Sequence, residues 1–186
     1  MPNSNKKFYK QFLKSRREIG SVTPSSRFLT KAIIKKIDFP RAKTIIELGP
    51  GTGVFTEQII KKMSENCRLL VLELNEEMFK LLQAKITDPR VILVQGSASD
   101  ILSIAQENNF SDADYIISSL PLTVMPESVT HRILASSQTI LSVNGKYIQF
   151  MYTGVMKQRL KKYFSNIHQS FVFLNFPPAF IFECKI

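Results

Sequence analysis

Ten residues constrain this chain more than any others: Thr44-Ile45-Ile46-Glu47-Leu48-Gly49-Pro50-Gly51-Thr52-Gly53. A β-branched apolar run that breaks into alternate glycines reads as a buried strand, a tight turn, and a helix beginning near Val54. Glycines at 49, 51 and 53 permit positive φ and let a ligand approach the backbone closely. The helix start adds N–H groups that lack intrahelical partners. The next apolar run ends in Glu73-Leu74. A carboxylate there can accept two hydrogen bonds from the vicinal hydroxyls of a ribose. Loop and acid together describe a nucleoside-binding crevice; the alternative is a glycine-rich turn in some other α/β protein.

The spacing narrows the ligand. A dinucleotide fingerprint needs G-x-G-x-x-G, whereas these glycines run G-x-G-x-G and position 54 is Val. Glu47 is an awkward neighbour for a pyrophosphate, and a cationic ligand tolerates it better.

The rest of the chain frames that motif. Apolar runs at 44–48, 69–74, 91–95, 114–118 and 146–151 alternate with helical stretches at 54–64, 75–86, 99–108 and 126–141. Such alternation implies a doubly wound, mostly parallel sheet with helices on both faces. A short basic helix is expected at 155–163. Runs at 169–175 and 179–185 flank Phe176-Pro177-Pro178 and read as an antiparallel pair closing a seven-stranded sheet. In such sheets ligands bind beyond the carboxyl ends of the strands. Gly49–Gly53, Glu73, the segment Gln95–Asp100 and the segment Ser118–Leu122 should therefore surround one crevice.

A chain of 186 residues with 44% apolar content suits one domain with a substantial core. No run approaches the roughly 18 apolar residues of a membrane-spanning helix, and the N-terminus has no apolar stretch typical of a secretory leader. Cys67 and Cys184 are too few for a disulfide framework or a zinc site, so reduced thiols, a cytoplasmic setting and no metal are expected. Residues 1–43 carry twelve Lys or Arg against two acids, whereas residues 44–186 carry thirteen of each. The whole excess of +10 therefore precedes the glycine motif, which suggests a polyanionic partner, either a membrane surface or RNA. Residues 1–38 form a basic helical extension in this reading. A first helix over 5–18 would place Phe8, Tyr9, Phe12 and Leu13 on one face amid lysines. That face either enters an anionic membrane interface or packs on the protein body. A second helix is expected over 25–37, and Lys157, Arg159, Lys161 and Lys162 make a further basic cluster.

Glu-x-Gly-x-Gly-x-Gly followed by a strand ending in an acid resembles motifs I and II of the class I S-adenosylmethionine-dependent methyltransferases, which have a Rossmann-like fold. After the fourth strand, Ser118-Ser119-Leu120-Pro121-Leu122 occupies the acceptor position of such enzymes. Base-amine methyltransferases carry Asn/Asp-Pro-Pro-Tyr there, or Asn-Leu-Pro-Tyr in the ribosomal RNA adenine dimethyltransferases. In this chain Asn becomes Ser118 or Ser119 and the stacking Tyr becomes Leu122, which argues against a base substrate. Ile19-Gly20-Ser21-Val22-Thr23-Pro24-Ser25-Ser26-Arg27, Ser119-Leu120-Pro121-Leu122 and Asn175-Phe176-Pro177-Pro178-Ala179 resemble the bacterial phosphatidylethanolamine (phospholipid) N-methyltransferases.

That resemblance implies a single methyltransferase domain, peripheral on the inner membrane face, that methylates a lipid amine such as that of phosphatidylethanolamine. It places Glu47, Gly49, Pro50, Gly51 and Gly53 at the methionine end of the cofactor and Glu73 with Leu74 at the ribose. Ser97 and Ala98 fall near the adenine, where the family often has Gly-Asp-Ala. Ser118, Ser119, Leu120 and Pro121 face the acceptor, and Arg27 and Tyr9 fall at the lipid phosphate or the acceptor entrance. No stable protein partner is implied. The alternatives are an RNA adenine methyltransferase, although the further C-terminal domain common in those enzymes is not expected here, and a non-catalytic membrane-binding protein that kept the fold.

Overall fold

A computed structural model describes residues 26–186. The expected helix over 5–18, with Phe8, Tyr9 and Phe12, lies outside the described residues. The elements run α1 (Arg27–Ile34), β1 (Thr44–Leu48), α2 (Val54–Ile60), β2 (Arg68–Glu73), α3 (Glu76–Lys85) and β3 (Val91–Gln95). They continue with a 3-10 turn (Ala98–Asp100) leading into α4 (Ile101–Glu107), β4 (Ala113–Ser118), α5 (Glu127–Ile140) and β5 (Leu141–Met151). α6 (Met156–Leu160), β6 (Asn166–Val172) and β7 (Ala179–Lys185) complete the order.

The strands form one seven-stranded sheet in the order β3-β2-β1-β4-β5-β7-β6. β1 to β5 are parallel neighbours, while β7 runs antiparallel to both β5 and β6. The alternating strand–helix pattern anticipated this, because a parallel pair needs a crossover and the crossovers cover both faces. Ile46 and Leu48 of β1 enter one apolar layer with α4, α5 and α6. Ile45, one residue out of phase, enters the opposite layer with Leu29 and Ile33 of α1 and Phe55 and Ile59 of α2. Burying both faces is why these strands read as unbroken apolar runs rather than alternating ones.

Local chemistry sets the element ends. Ser26 caps α1 by accepting from Leu29 N, and Asn75 caps α3 by accepting from Met78 N. The guanidinium of Arg90 donates to the carbonyls of Ile60, Met63 and Ser64, which satisfies the carboxyl end of α2. Two boundaries differ from the sequence pattern. β5 begins at Leu141 rather than near 146, pairing Leu141 with Ala113 before a register shift. β6 spans Asn166–Val172 rather than 169–175, because pairing with β7 begins at Lys185 and ends at Ala179. Phe173 and Leu174 are thereby left in the connecting turn.

Candidate active site

The order of strands around β1 reverses between β2 and β4, so the crevice opens beyond their carboxyl ends. Gly49 donates to the carbonyl of Leu72 at 3.0 Å, Ser119 to Leu48 at 3.0 Å and Gly96 to Glu73 at 3.1 Å. These bonds tie the loops of four strands to one rim.

All three glycines of the first turn are left-handed, with φ of 69° at Gly49, 59° at Gly51 and 82° at Gly53. Side chains rarely adopt that conformation. A Cβ at 53 would also meet Leu82 Cδ2 at 2.7 Å, so packing excludes it as well. A Cβ at 51 would meet nothing within 4 Å. That open volume over bare backbone forms a cradle with room for a ligand. Lys85, near the end of α3, braces the turn through an ion pair with Glu57 and a bond to the Thr52 carbonyl.

Two carboxylates lie under the cradle, both fully buried. Glu73 Oε2 accepts from Gly51 N at 3.2 Å and Oε1 from Asn75 N at 2.8 Å, which fixes the acid at the end of β2 against the turn. Glu47 Oε2 accepts from Thr56 Oγ1 at 2.7 Å, whereas its Oε1 has no hydrogen-bond partner. Burial raises the pKa of Glu47 to about 7. The Thr56 hydrogen bond opposes that rise and the charge of Glu73 adds to it. An acid with an unfilled buried acceptor, kept reluctant to ionise, is poised for a cation. The donor set therefore fits a nucleoside carrying a sulfonium and an ammonium group.

The segment after β3 supplies a smaller contribution. Ser97 Oγ lies 2.8 Å from Ser99 Oγ and accepts from Ser99 N, while Ala98 is buried beside it. Asp100 does not face the crevice as a spare carboxylate. It pairs with Arg132 of α5 at 2.7 Å.

The turn after β4, expected to face the acceptor, is built from side chains. Ser118 is fully buried and its Oγ accepts from Leu120 N at 3.4 Å. Ser119 Oγ is buried with no partner. The Leu120 carbonyl accepts from Gln149 Nε2 at 3.0 Å, and Gln149 Oε1 accepts from the Tyr147 hydroxyl at 2.8 Å. Burial keeps that phenol neutral by raising its pKa. No motif pointed to Tyr147 or Gln149, and the one available signal was a glutamine inside the apolar run 146–151. Pro121 is half-buried, and Leu122 is wholly buried in the core. His131 bonds the Tyr163 hydroxyl on the helical face and His168 sits in β6, so neither joins the crevice.

Arg27 opens α1, with its guanidinium 4.9 Å from the centre of the Phe28 ring. It lines a cavity of about 730 Å³ between α1 and α2, together with Lys31, Lys35, Val54 and Glu57. Among the described residues no group of His, Cys, Asp and Glu could hold a metal ion, and no helix is long and apolar enough to cross a membrane.

Comparison with known proteins extends the geometry. Residues 2–123 match the family model described as ribosomal RNA adenine dimethylase. The ornithine lipid N-methyltransferase of Singulisphaera acidiphila is 27% identical over 180 residues, covering 96% of this chain and 94% of that protein. The ribosomal RNA small subunit methyltransferase A of Mycoplasma mycoides subsp. mycoides is 28% identical over 119 residues, covering 62% of this chain and 42% of that one. This chain thus spans under half of the RNA-directed relative. In fold, it superposes on Burkholderia thailandensis 1,6-didemethyltoxoflavin-N1-methyltransferase with a TM-score of 0.71, at 15% identity, over 100% of this chain and 90% of that chain. With the glycine cradle, the buried acid pair and a family match across two thirds of its length, the chain belongs to the ribosomal RNA adenine dimethylase family of S-adenosylmethionine-dependent methyltransferases.

Proposed function

We propose that this enzyme transfers methyl groups to the amine head group of a membrane lipid, with phosphatidylethanolamine first and an ornithine lipid second. The observation that carries this reading is the acceptor turn. A base substrate needs a stacking surface and an amide acceptor, and here Leu122 is core-packed where the aromatic would stand. Ser119 Oγ is instead a small, buried acceptor without a partner, which suits an aliphatic amine. The end-to-end alignment with an ornithine lipid N-methyltransferase supports the same reading.

In this reading Gly49, Pro50, Gly51 and Gly53 cradle the methionine end of the cofactor. Glu47 faces its cationic end, Glu73 accepts from the ribose hydroxyls, and Leu74, Ser97 and Ala98 border the adenine. When bound, S-adenosylmethionine supplies an electrophilic methyl group on a good leaving group. Ser119 Oγ accepts an amine hydrogen and aims the nitrogen lone pair, beside a Leu120 carbonyl already held by Gln149 Nε2 and Leu122 N. Pro121 and buried Ser118 hold that carbonyl in place. Alignment and exclusion of water are the main work left to the protein. The amine attacks in its neutral form and releases a proton to solvent. The basic leader keeps the enzyme on an anionic membrane surface.

Incubation with labelled cofactor tests this reading, using phosphatidylethanolamine vesicles, ornithine-lipid vesicles and a ribosomal RNA fragment in parallel. Label in either lipid, and none in RNA, is expected. Label in RNA with none in lipid overturns the reading. Binding of cofactor with turnover of neither overturns it in favour of a non-catalytic role.

A further inference from the structure

The turn joining β6 to β7 inverts the usual placement of polar and apolar residues. Asn175, its polar member, is only 4% exposed, whereas Phe176 is 92%, Phe173 76% and Leu174 65% exposed. The inversion is built in. Asn175 Nδ2 donates to the Pro177 carbonyl, its backbone N–H donates to Val172, and its Oδ1 accepts from Ser26 N at 3.3 Å. At the base of the hairpin the Phe171 and Phe180 rings pack with centroids 4.8 Å apart. An anchored turn that holds aromatic side chains in water needs an apolar destination.

Topology and charge identify it. Val172 pairs with Ala179 and Met151 with Phe180, so the turn lies on the same carboxyl edge of the sheet as the crevice. Val155, after β5 on that edge, is 72% exposed. The Ser26 bond places the start of α1 beside the turn. From there Arg27, Lys31 and Lys35 follow at intervals of four as exposed cations on one face. Residues 26–43 carry six Lys or Arg against one acid. Aromatic residues at an apolar tip with a cationic flank match the order of a bilayer surface: acyl boundary, then anionic head groups.

We infer that Phe173, Leu174 and Phe176 insert into the head-group boundary of an anionic bilayer, with Arg27 and Lys31 on the phosphates, and so seat the crevice over the membrane. This rests on the lipid reading of the acceptor site, for which it supplies the route by which substrate reaches the enzyme.

The full-length chain should be compared with the F173S/F176S double variant and with Val143→Ser. Val143 is a control at 88% exposure near the start of β5, on the opposite edge. Because these side chains are solvent-exposed, all three proteins should melt alike. Cosedimentation with phosphatidylethanolamine–phosphatidylglycerol vesicles should weaken about tenfold or more in the double variant and be unchanged in V143S. Methyl transfer to detergent-dispersed lipid should stay within about twofold of the parent in both. Equal vesicle binding by the parent and the double variant overturns the inference. So does a tryptophan placed by Phe176→Trp in this Trp-free chain that brominated lipid does not quench. If the parent binds vesicles through the turn yet methylates no amine lipid in detergent, the membrane surface stands and the proposed substrate falls.

Discussion

The proposed donor side of the crevice draws its polar groups from short stretches of chain. The glycine turn, Glu47 and Thr56 all come from ten consecutive residues, and Glu73 from the next strand end. The proposed acceptor side is assembled from distant ones. Leu120 after β4 relies on Gln149 and Tyr147 of β5, and the β6–β7 turn relies on Asn175 bonded to Ser26, 149 positions away. A donor site made from local backbone geometry can be reused unchanged with many substrates. An acceptor site made from long-range side-chain contacts can change its substrate by a few substitutions while the first half stays intact. The proteins similar to this chain include both a lipid and a ribosomal RNA methyltransferase.

The comparison breaks most sharply at Glu73. Glu73→Ala should weaken cofactor binding by about 100-fold or more, since two charge-assisted bonds are lost. Calorimetry should find this with the circular dichroism of the fold retained. Unchanged affinity would mean that the donor side does not depend on this acid.

On the acceptor side, Gln149→Leu removes one of the two donors to the Leu120 carbonyl and takes the Gln149 acceptor from the buried Tyr147 hydroxyl. A stability loss of about 2–3 kcal/mol is expected in urea denaturation. The rate of transfer should fall with it, while cofactor affinity stays near that of the parent. A matching loss of cofactor affinity would show that the two sides are coupled.

Glu47 links the comparison to pH. Its folded pKa, about 7, lies above the usual 4.5 because of burial. Its contribution to stability is therefore fully present below about pH 4.5 and lost as pH rises through 7, an effect on the order of 3 kcal/mol. A cationic ligand favours the ionised form, so cofactor affinity should move the opposite way, rising about tenfold from pH 6 to pH 8. Glu47→Gln should flatten both profiles. A parent affinity that does not vary over this range would remove Glu47 from the cofactor.

The smallest effect is expected from Ser119→Ala. Its hydroxyl has no hydrogen-bond partner, so the melting temperature should hold or rise slightly. The KM for lipid amine should increase a few-fold, on the order of 1 kcal/mol, through one neutral hydrogen bond. A large loss of stability would assign that hydroxyl to the fold rather than to the substrate.

Legibility followed the same division. The spans 44–48 and 91–95 coincide with β1 and β3, since apolar runs bounded by turn residues leave little choice. The helix expected over 126–141 is α5, Glu127–Ile140. By contrast, Ser142-Val143-Asn144-Gly145 falls between the helix expected over 126–141 and the run at 146–151, yet belongs to β5. Pairing of Leu141 with Ala113 extends the strand, and Gly145 lies where a Cβ would be 2.7 Å from the Ala113 carbonyl. Phe173 and Leu174 read as strand because they are apolar. The register of β7 leaves them outside it, and their exposure on the active edge depends on that register alone.

The sequence by itself determined the doubly wound sheet, the left-handed glycine turn and the acid that follows it, because periodicity and glycine φ act over a few neighbouring residues. Tertiary structure decided which serine of the acceptor turn is left with an unfilled oxygen and which glutamine holds its carbonyl. It also decided which phenylalanines face outward. Each of those outcomes depends on which distant strand or helix completes the hydrogen bonds and burial of a given side chain, and local pattern carries no record of that pairing.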